Sequence, residues 1–201
     1  MLHYPVLEDE TEDDKSDDKA PAGKAEALFF QSRNVIITGT INDKLARGAV
    51  TQLLALAEAS DDPINVIISS PGGHVESGDM VHDMIQFIKP KVRVIGSGWV
   101  ASAGALIFVG AAKENRYCLP NTRFLLHEPR GGIGGQATDM MIQAEQIRIM
   151  RERFHKLFAE ATGHTPEKIA EDTHRDFWLT ASEAIDYGLN NKIIRSVTEL
   201  G

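Results

Sequence analysis

The sequence predicts an α/β fold with mostly parallel strand pairing. Two observations carry that prediction. Short runs of apolar, β-branched residues alternate with longer segments of helical period. Turns rich in glycine and proline sit where such a run gives way to a helix. Strands alternating with helices belong to parallel sheets, whose loops gather at the carboxyl edge, where sites form. The length of 201 residues suits a single domain. With 42% apolar residues, such a chain buries a core without disulfides or metals.

Residues 1–25 come first and read as a disordered, acidic tail. Residues 8–18 hold eight acids and one lysine, and the stretch after them is small and kinked, so no apolar face exists to bury. The domain proper is expected over residues 26–201. Asn34–Thr38 is a buried strand, and Asp43–Ala59 a helix with Leu45, Ala49, Leu53 and Leu56 on one face. Ile64–Ser69 is a second strand, and Val75–Ile88 a helix with Val75, Met80, Val81, Met84, Ile85 and Ile88 inward. A third strand is expected over Val92–Ile95, an apolar helix over Ser102–Ala112, and short strands at Tyr117–Leu119 and Phe124–Leu126. Gln136–Thr162 forms a helix of about 25 residues, hence about 37 Å. Pro166–Asp172, Ala181–Tyr187 and Ile193–Ile194 complete the chain. The long helix carries a stripe of Ala137, Met140, Met141, Ala144, Ile147, Phe154, Leu157 and Phe158, with Ile142 and Ile149 off it. That pattern fits burial on two sides, as in an arm packed on another subunit.

The net charge of −8 belongs mostly to the tail. A nearly neutral body offers no basic stripe for nucleic acid. The single cysteine, Cys118, excludes an intrachain disulfide and a Cys-rich zinc site. The longest apolar run, residues 101–112, falls short of the roughly 20 residues of a membrane span. The N-terminus lacks the basic and apolar regions of a secretory signal. A cytoplasmic location away from membranes is the expectation.

Three local patterns hold residues able to do chemistry. Ser69–His74 (SSPGGH) closes a strand, and its paired glycines permit close backbone approach and leave N–H groups free to donate. A glycine pair there also serves purely steric needs. Gly96–Gly104 (GSGWVASAG) opens the apolar helix. Its Ser102 is flanked by small residues at a helix N-terminus, which favours negative charge; an ordinary helix cap is the other role open to it. Arg123–Gly132 (RFLLHEPRGG) sets His127 at a strand end, which suits a general base and equally a structural histidine. His74 and His174 lie near these turns without an evident partner. No histidine pair has metal-ligand spacing, and neither metal nor cofactor is expected.

Taken in order, these patterns resemble the proteolytic subunit of the Clp protease, a family of self-compartmentalised serine peptidases. The resemblance runs from about Asn34 to Ile194. It rests on SPGGHVESG (70–78), FIKPKV (87–92), ASAGALIFVGA (101–111), CLPNTRFLLHEPRGG (118–132), GQATD (135–139) and DTHRDFWLTASEAIDYGL (172–189). It implies the ClpP/crotonase superfamily fold, an α/β architecture of repeated β-β-α type units with a protruding strand–helix handle, residues 128–162. It implies Ser102 as nucleophile, His127 as general base and Asp176 as the acid that orients the imidazole and stabilises its charged form. Backbone N–H groups of Gly73 and Ala103 would form the oxyanion hole. Gly131, Gly132, Ile133 and Gly134 would be a strand on which an extended peptide pairs through its main chain. Gln136, Asp139 and Arg175 would lie in the contact between two stacked heptameric rings. The implied substrates are unfolded polypeptides delivered by a separate AAA+ unfoldase, and the peptidase subunit itself would bind no ATP.

Some positions depart from the family pattern. The acidic tail stands where pore-loop residues are usual. Asn65 and Ile67 replace aromatics that help hold the unfoldase's hydrophobic loop, and Ser97 replaces an apolar neighbour, although Tyr117, Leu119 and Ile194 keep the patch partly apolar. A polar group in such a pocket costs about 1–3 kcal/mol, so docking is expected to be weak or to pass through a partner ring. His174 stands where an acid is usual. These departures suggest a divergent second paralogue. The alternative function is then a ring subunit that is weakly active or inactive alone and works in a mixed complex with a typical ring. Acyl-CoA chemistry of the crotonase type uses the oxyanion hole without a serine–histidine pair, so Ser102 and His127 weigh against it.

Overall fold

The computed structural model describes residues 19–130, 132 and 134–200, with residues 19–24 given as backbone alone. The acid block, Gly131 and Ile133 lie outside the described residues. The chain divides after Ser32 into two units. In the first, helix α1 covers Lys19–Gln31. Ala20, Ala22, Ala25 and Ala27 favour helix, and Pro21 falls in the first turn, where an N–H has no partner to lose. The helix thus takes in residues 19–25, which composition assigns to the tail.

The second unit is built on a seven-stranded sheet. Strands β1 (Asn34–Thr38), β2 (Ile64–Ser70) and β3 (Val92–Ala101) pair in parallel. Helices α2 (Asp43–Ala59) and α3 (Val75–Phe87) make the crossovers. Asn42 starts α2 by accepting the Leu45 N–H at 3.0 Å, the usual service of an N-cap asparagine. Then follow α4 (Ala103–Phe108), β4 (Arg116–Cys118), β5 (Arg123–Leu126) and α5 (Ala137–Thr162). The chain ends through α6 (Pro166–Thr173), β6 (Phe177–Thr180), α7 (Ala181–Asp186) and β7 (Lys192–Ile193).

Periodicity predicts a third strand ending at Ile95, but β3 continues to Ala101. Gly96, Ser97 and Gly98 interrupt its apolar pattern without ending its pairing. The strand forks the sheet: Val94–Gly96 pair with β4, and Trp99–Ala101 pair with β5. Against β2 the register jumps, Ile68 facing Gly96 while Ser70 faces Val100. The extra residues in β3 bend it and bring its second half to β5. Strand β6, unforeseen in the sequence, pairs antiparallel with β5, matching Leu126 to Phe177.

The core lies between the sheet and its helices. Residues alternate in burial along β2, with Ile64, Val66 and Ile68 fully covered. Phe108 of α4 meets Phe124 of β5 edge-on at 5.1 Å. Buried Arg116 donates to the carbonyls of Ala111 (2.8 Å), Ala161 (2.8 Å) and Val109 (3.3 Å). Burial lowers its pKa to about 10, so it stays charged at neutral pH, and its charge is met by carbonyl dipoles. On the other face of the sheet, Ile95, Tyr117 and Ile194 form a small cluster with Ile67 and Leu200.

Two helices differ from expectation. On α3, Met80 faces outward, and Ser77, Gly78 and His82 are buried instead. The small Ser77 and Gly78 let α3 approach α4: a Cβ on Gly78 would stand 3.2 Å from the Ala103 Cβ. On α5, only Phe158, Ala159 and Thr162 are buried. Among the described residues, several apolar residues of its first half are left uncovered, Met141 being 75% and Ile142 58% exposed. Among the described residues, no helix is long and apolar enough to cross a membrane.

Cys118, the last residue of β4, is buried. Burial pushes its thiol from 9.0 up to about 11, against a weaker pull from the Asn190 amide. The thiolate fraction therefore drops about 100-fold, and reactivity with it. Iodoacetamide at pH 8 is expected to leave Cys118 largely unmodified in the native protein and to alkylate it readily in urea, as read by intact mass.

Candidate active site

Strand β3 ends at Ala101 and α4 starts at Ala103, so Ser102 is the single residue between them. Its backbone has φ 54° and ψ −121°, a region costing a non-glycine residue about 1–3 kcal/mol. Hydrogen bonds on both sides hold it there. The Ser102 N–H donates to the Leu125 carbonyl at 2.9 Å, and the Ser102 carbonyl accepts from Ala105 (2.9 Å) and Leu106 (3.1 Å). Leu125 belongs to β5, so the strand that leads to His127 also fixes Ser102.

The SSPGGH turn packs directly against this serine. Gly72 has φ +96°, and a Cβ there would fall 2.5 Å from the Ser102 Cβ. Only glycine fits. At Gly73, φ +150°, a Cβ would strike the Ile41 carbonyl. The bridge to Ile41 uses the Gly72 carbonyl and the His74 N–H, each at 2.9 Å, leaving the Gly73 N–H outside it. Ala103 opens α4, and its N–H has no partner within the helix. Both N–H groups therefore lie outside these ladders, Ala103 next to Ser102 in the chain and Gly73 next to the Gly72 that packs on it.

His74, without an evident partner in sequence, has several. Its Nδ1 lies 2.8 Å from Ser77 Oγ and 3.2 Å from Asp43 Oδ1, and its Nε2 lies 3.1 Å from Glu76. The Ser77 hydroxyl donates to Asp43 at 2.6 Å. This bond, then the charge of His74, holds the Asp43 carboxyl below its usual range. The network ties the glycine turn to the start of α2.

Strand register brings the backbones of His127 and Asp176 across from one another. Leu126 pairs with Phe177 in the β5–β6 ladder, so His127, just past the end of β5, and Asp176, just before the start of β6, fall one step beyond it. Their side chains nevertheless bond elsewhere. His127 Nδ1 lies 2.8 Å from the Glu128 carbonyl. A carbonyl only accepts, so Nδ1 carries a proton; in the neutral ring this tautomer keeps the lone pair on Nε2. Asp176 Oδ1 accepts from Arg130 Nη2 at 2.5 Å. Among the described residues, no hydrogen bond joins Ser102, His127 and Asp176 to one another. The topology gathers the three residues, and their side chains form no chain of bonds.

Three further residues shape the corner. Glu128 donates its N–H to the Thr173 carbonyl at 3.2 Å, and its carboxylate lies 3.0 Å from His155 Nε2 and 4.0 Å from Arg151. Glu128 and Arg130 stand inside a quoted motif, yet nothing in the motif announces partners so distant in sequence. Val75, Ala103, Leu106, Pro129 and Phe154 line a small apolar hollow together with Ser102 and His127. Larger hollows beside His82, Gln86 and Arg116 include none of the three candidates. Gly132 and Gly134 carry no regular element, Gln136 caps α5, and Gln136, Asp139 and Arg175 are exposed. Among the described residues, no cluster of His, Cys, Asp or Glu could hold a metal ion.

Residues 19–197 match the family model described as Clp protease. The proteolytic subunit of the ATP-dependent Clp protease from Paracoccus denitrificans is 66% identical over 181 residues, 90% of this chain and 91% of that protein. Proteolytic subunit 3 from Rhizobium etli is 56% identical over 194 residues, 96% of this chain and 100% of that protein. A point mutant of ClpP1 from Listeria monocytogenes superposes with a TM-score of 0.83 at 50% identity, over 88% of this chain and 99% of that one.

The contact between Gly72 and Ser102 yields a prediction. Gly72→Ala adds a clash and a strained φ, so stability should fall by about 1–3 kcal/mol, measured as a shifted urea midpoint. Gly48→Ala, at a helical position with open space around it, should not destabilise.

Proposed function

The chain belongs to the Clp protease family of serine peptidases, and on that premise we propose that Ser102, His127 and Asp176 carry out its peptide hydrolysis. Ser102 Oγ attacks the peptide carbonyl while His127 Nε2 takes its proton and later gives it to the leaving amine. Asp176 supports the imidazolium that forms between these steps. Water then attacks the acyl-serine, with His127 again as base. The Gly73 and Ala103 N–H groups stabilise the oxyanion; losing one such donor costs roughly 100- to 1,000-fold. The observation that carries this reading is the shared strand β5. It fixes the Ser102 backbone through Leu125 and presents His127 opposite Asp176.

The substrates on this reading are unfolded polypeptides, held by their main chain along residues 131–134 and supplied by a AAA+ unfoldase. The apolar hollow beside Ser102 suits an apolar side chain next to the scissile bond. Helix α5 would be the handle of two stacked seven-membered rings, since its uncovered Met141 and Ile142 need a partner surface. Gln136 and Asp139, at its start, and Arg175 would lie in the same contact. At the proposed unfoldase pocket, Asn65 Nδ2 donates to Asn34 Oδ1 at 3.0 Å, and Asn65 Oδ1 is buried without a partner among the described residues. That polarity favours weak docking.

One observation favours the second reading, a subunit that is slow alone and works with a typical ring. Asp176 bonds to Arg130, and His127 bonds to a carbonyl. Co-expression with a typical Clp peptidase subunit is expected to yield a mixed particle of higher specific activity; separate elution of the two on gel filtration would remove that reading.

Short fluorogenic peptides test the chemistry directly, because they need no unfoldase. Ser102→Ala should cost on the order of a million-fold in kcat, and Asp176→Asn about 10,000-fold. Peptides with Leu or Met before the scissile bond should be cut faster than those with Asp. Hydrolysis that persists in Ser102→Ala would overturn the assignment.

A further inference from the structure

We propose that Arg130 is a positioning residue that competes with His127 for the Asp176 carboxylate and so holds the resting site in a slow state. The proposal rests on the peptidase reading above. Register sets Asp176 opposite His127, one step past the Leu126–Phe177 pair. The backbone thus sets the two residues across from one another, and the Asp176 Oδ1 takes a charge-assisted bond from Arg130 at 2.5 Å. Among the described residues, Arg130 has no other ion-pair or hydrogen-bond partner.

His127 is correspondingly satisfied elsewhere. The Glu128 carbonyl holds the Nδ1 proton, as a carboxylate would, and leaves Nε2 outside that bond. A carbonyl is neutral, however, and stabilises imidazolium far less than a carboxylate does. The other charged groups at this corner are the Glu128 carboxylate and its partners on α5, His155 and Arg151. That carboxylate is engaged there and does not replace Asp176. Activation therefore exchanges two contacts: Arg130 releases Asp176, and His127 Nδ1–H turns from the carbonyl to the carboxylate.

Both ends of the latch are about half exposed, 57% for Arg130 and 48% for Asp176. An exposed ion pair biases an equilibrium by no more than about fivefold. The latch is thus light, and a competing anion or a shift of the loop can open it.

The test measures the rate at which a small fluorophosphonate labels Ser102 in the full-length protein between pH 5.5 and 9. Such a probe makes no extended peptide contacts, so lost substrate binding does not enter. Arg130→Leu is expected to raise the labelling rate roughly three- to fivefold. It should also move the acid limb to higher pH, because an adjacent carboxylate favours the imidazolium. Arg130→Lys keeps the charge and should stay near the native rate. In an Asp176→Asn background, Arg130→Leu should change nothing. An unchanged or slower rate in Arg130→Leu overturns the latch, as does an equal gain in the Asp176→Asn background. Absence of labelling dependent on Ser102 in every variant removes the peptidase reading and the latch together. Labelling that Arg130→Leu leaves untouched removes the latch alone.

Discussion

Strand β3 must satisfy two neighbours on one edge. Backbone donors and acceptors in a buried sheet have to be paired, and neither β4 nor β5 is long enough to pair with all of β3. The strand resolves this by pairing first with one and then with the other. The residues inserted against β2 are the cost of that change. The placement of the candidate site follows. Ser102 stands where β3 runs out, Leu125 of the second neighbour receives its N–H, and β6 on the far side of β5 leads back to Asp176. Any loss of pairing between β3 and β5 would disturb the serine and the histidine at once.

Much of this was legible in the sequence because the responsible patterns are local. NVIIT and INVIIS announce strands by composition, and Asp43–Ala59 shows its buried face by spacing. Ser102, His127 and Asp176 stand out as candidates only through the motifs that carry the family resemblance. Hydrophobic period alone leaves a cap serine and a strand-end histidine equally plausible at two of those positions. The misses have physical causes. The second half of β3 contains Gly96, Ser97 and Gly98, which look like a turn, and its pairing comes from strands in other parts of the chain. Strand β6 is four residues long, too short for a period to declare itself. Spacing alone puts Met80 inward, yet Ser77 and Gly78 occupy that side because α4 comes so close. The Arg130–Asp176 contact spans 46 positions, and no local rule reaches that far.

Arg116 and Arg130 show two uses of one side chain. Arg116 is buried, and three backbone carbonyls fix its planar fork, joining the end of α5 to the loop after α4. Removing it would leave buried acceptors unpaired, a loss of about 1–3 kcal/mol each. Arg130 is about half exposed and, among the described residues, has one carboxylate as its partner. Its bond can be exchanged at small cost. The first arginine belongs to the architecture, and the second to the poise of the site. Burial alone separates the two, since the hydrogen-bonding chemistry of the guanidinium is the same.

The backbone at Ser102 occupies a region where glycine would rest without strain. The folded chain therefore carries a standing penalty at its proposed nucleophile, borne whether or not a substrate is present. Ser102→Gly, which abolishes the chemistry, would relieve it, whereas Ser102→Ala keeps the Cβ and with it the strain. A selection for heat resistance alone would drift away from function at this position, and hardening the protein without losing its activity must begin elsewhere in the sheet.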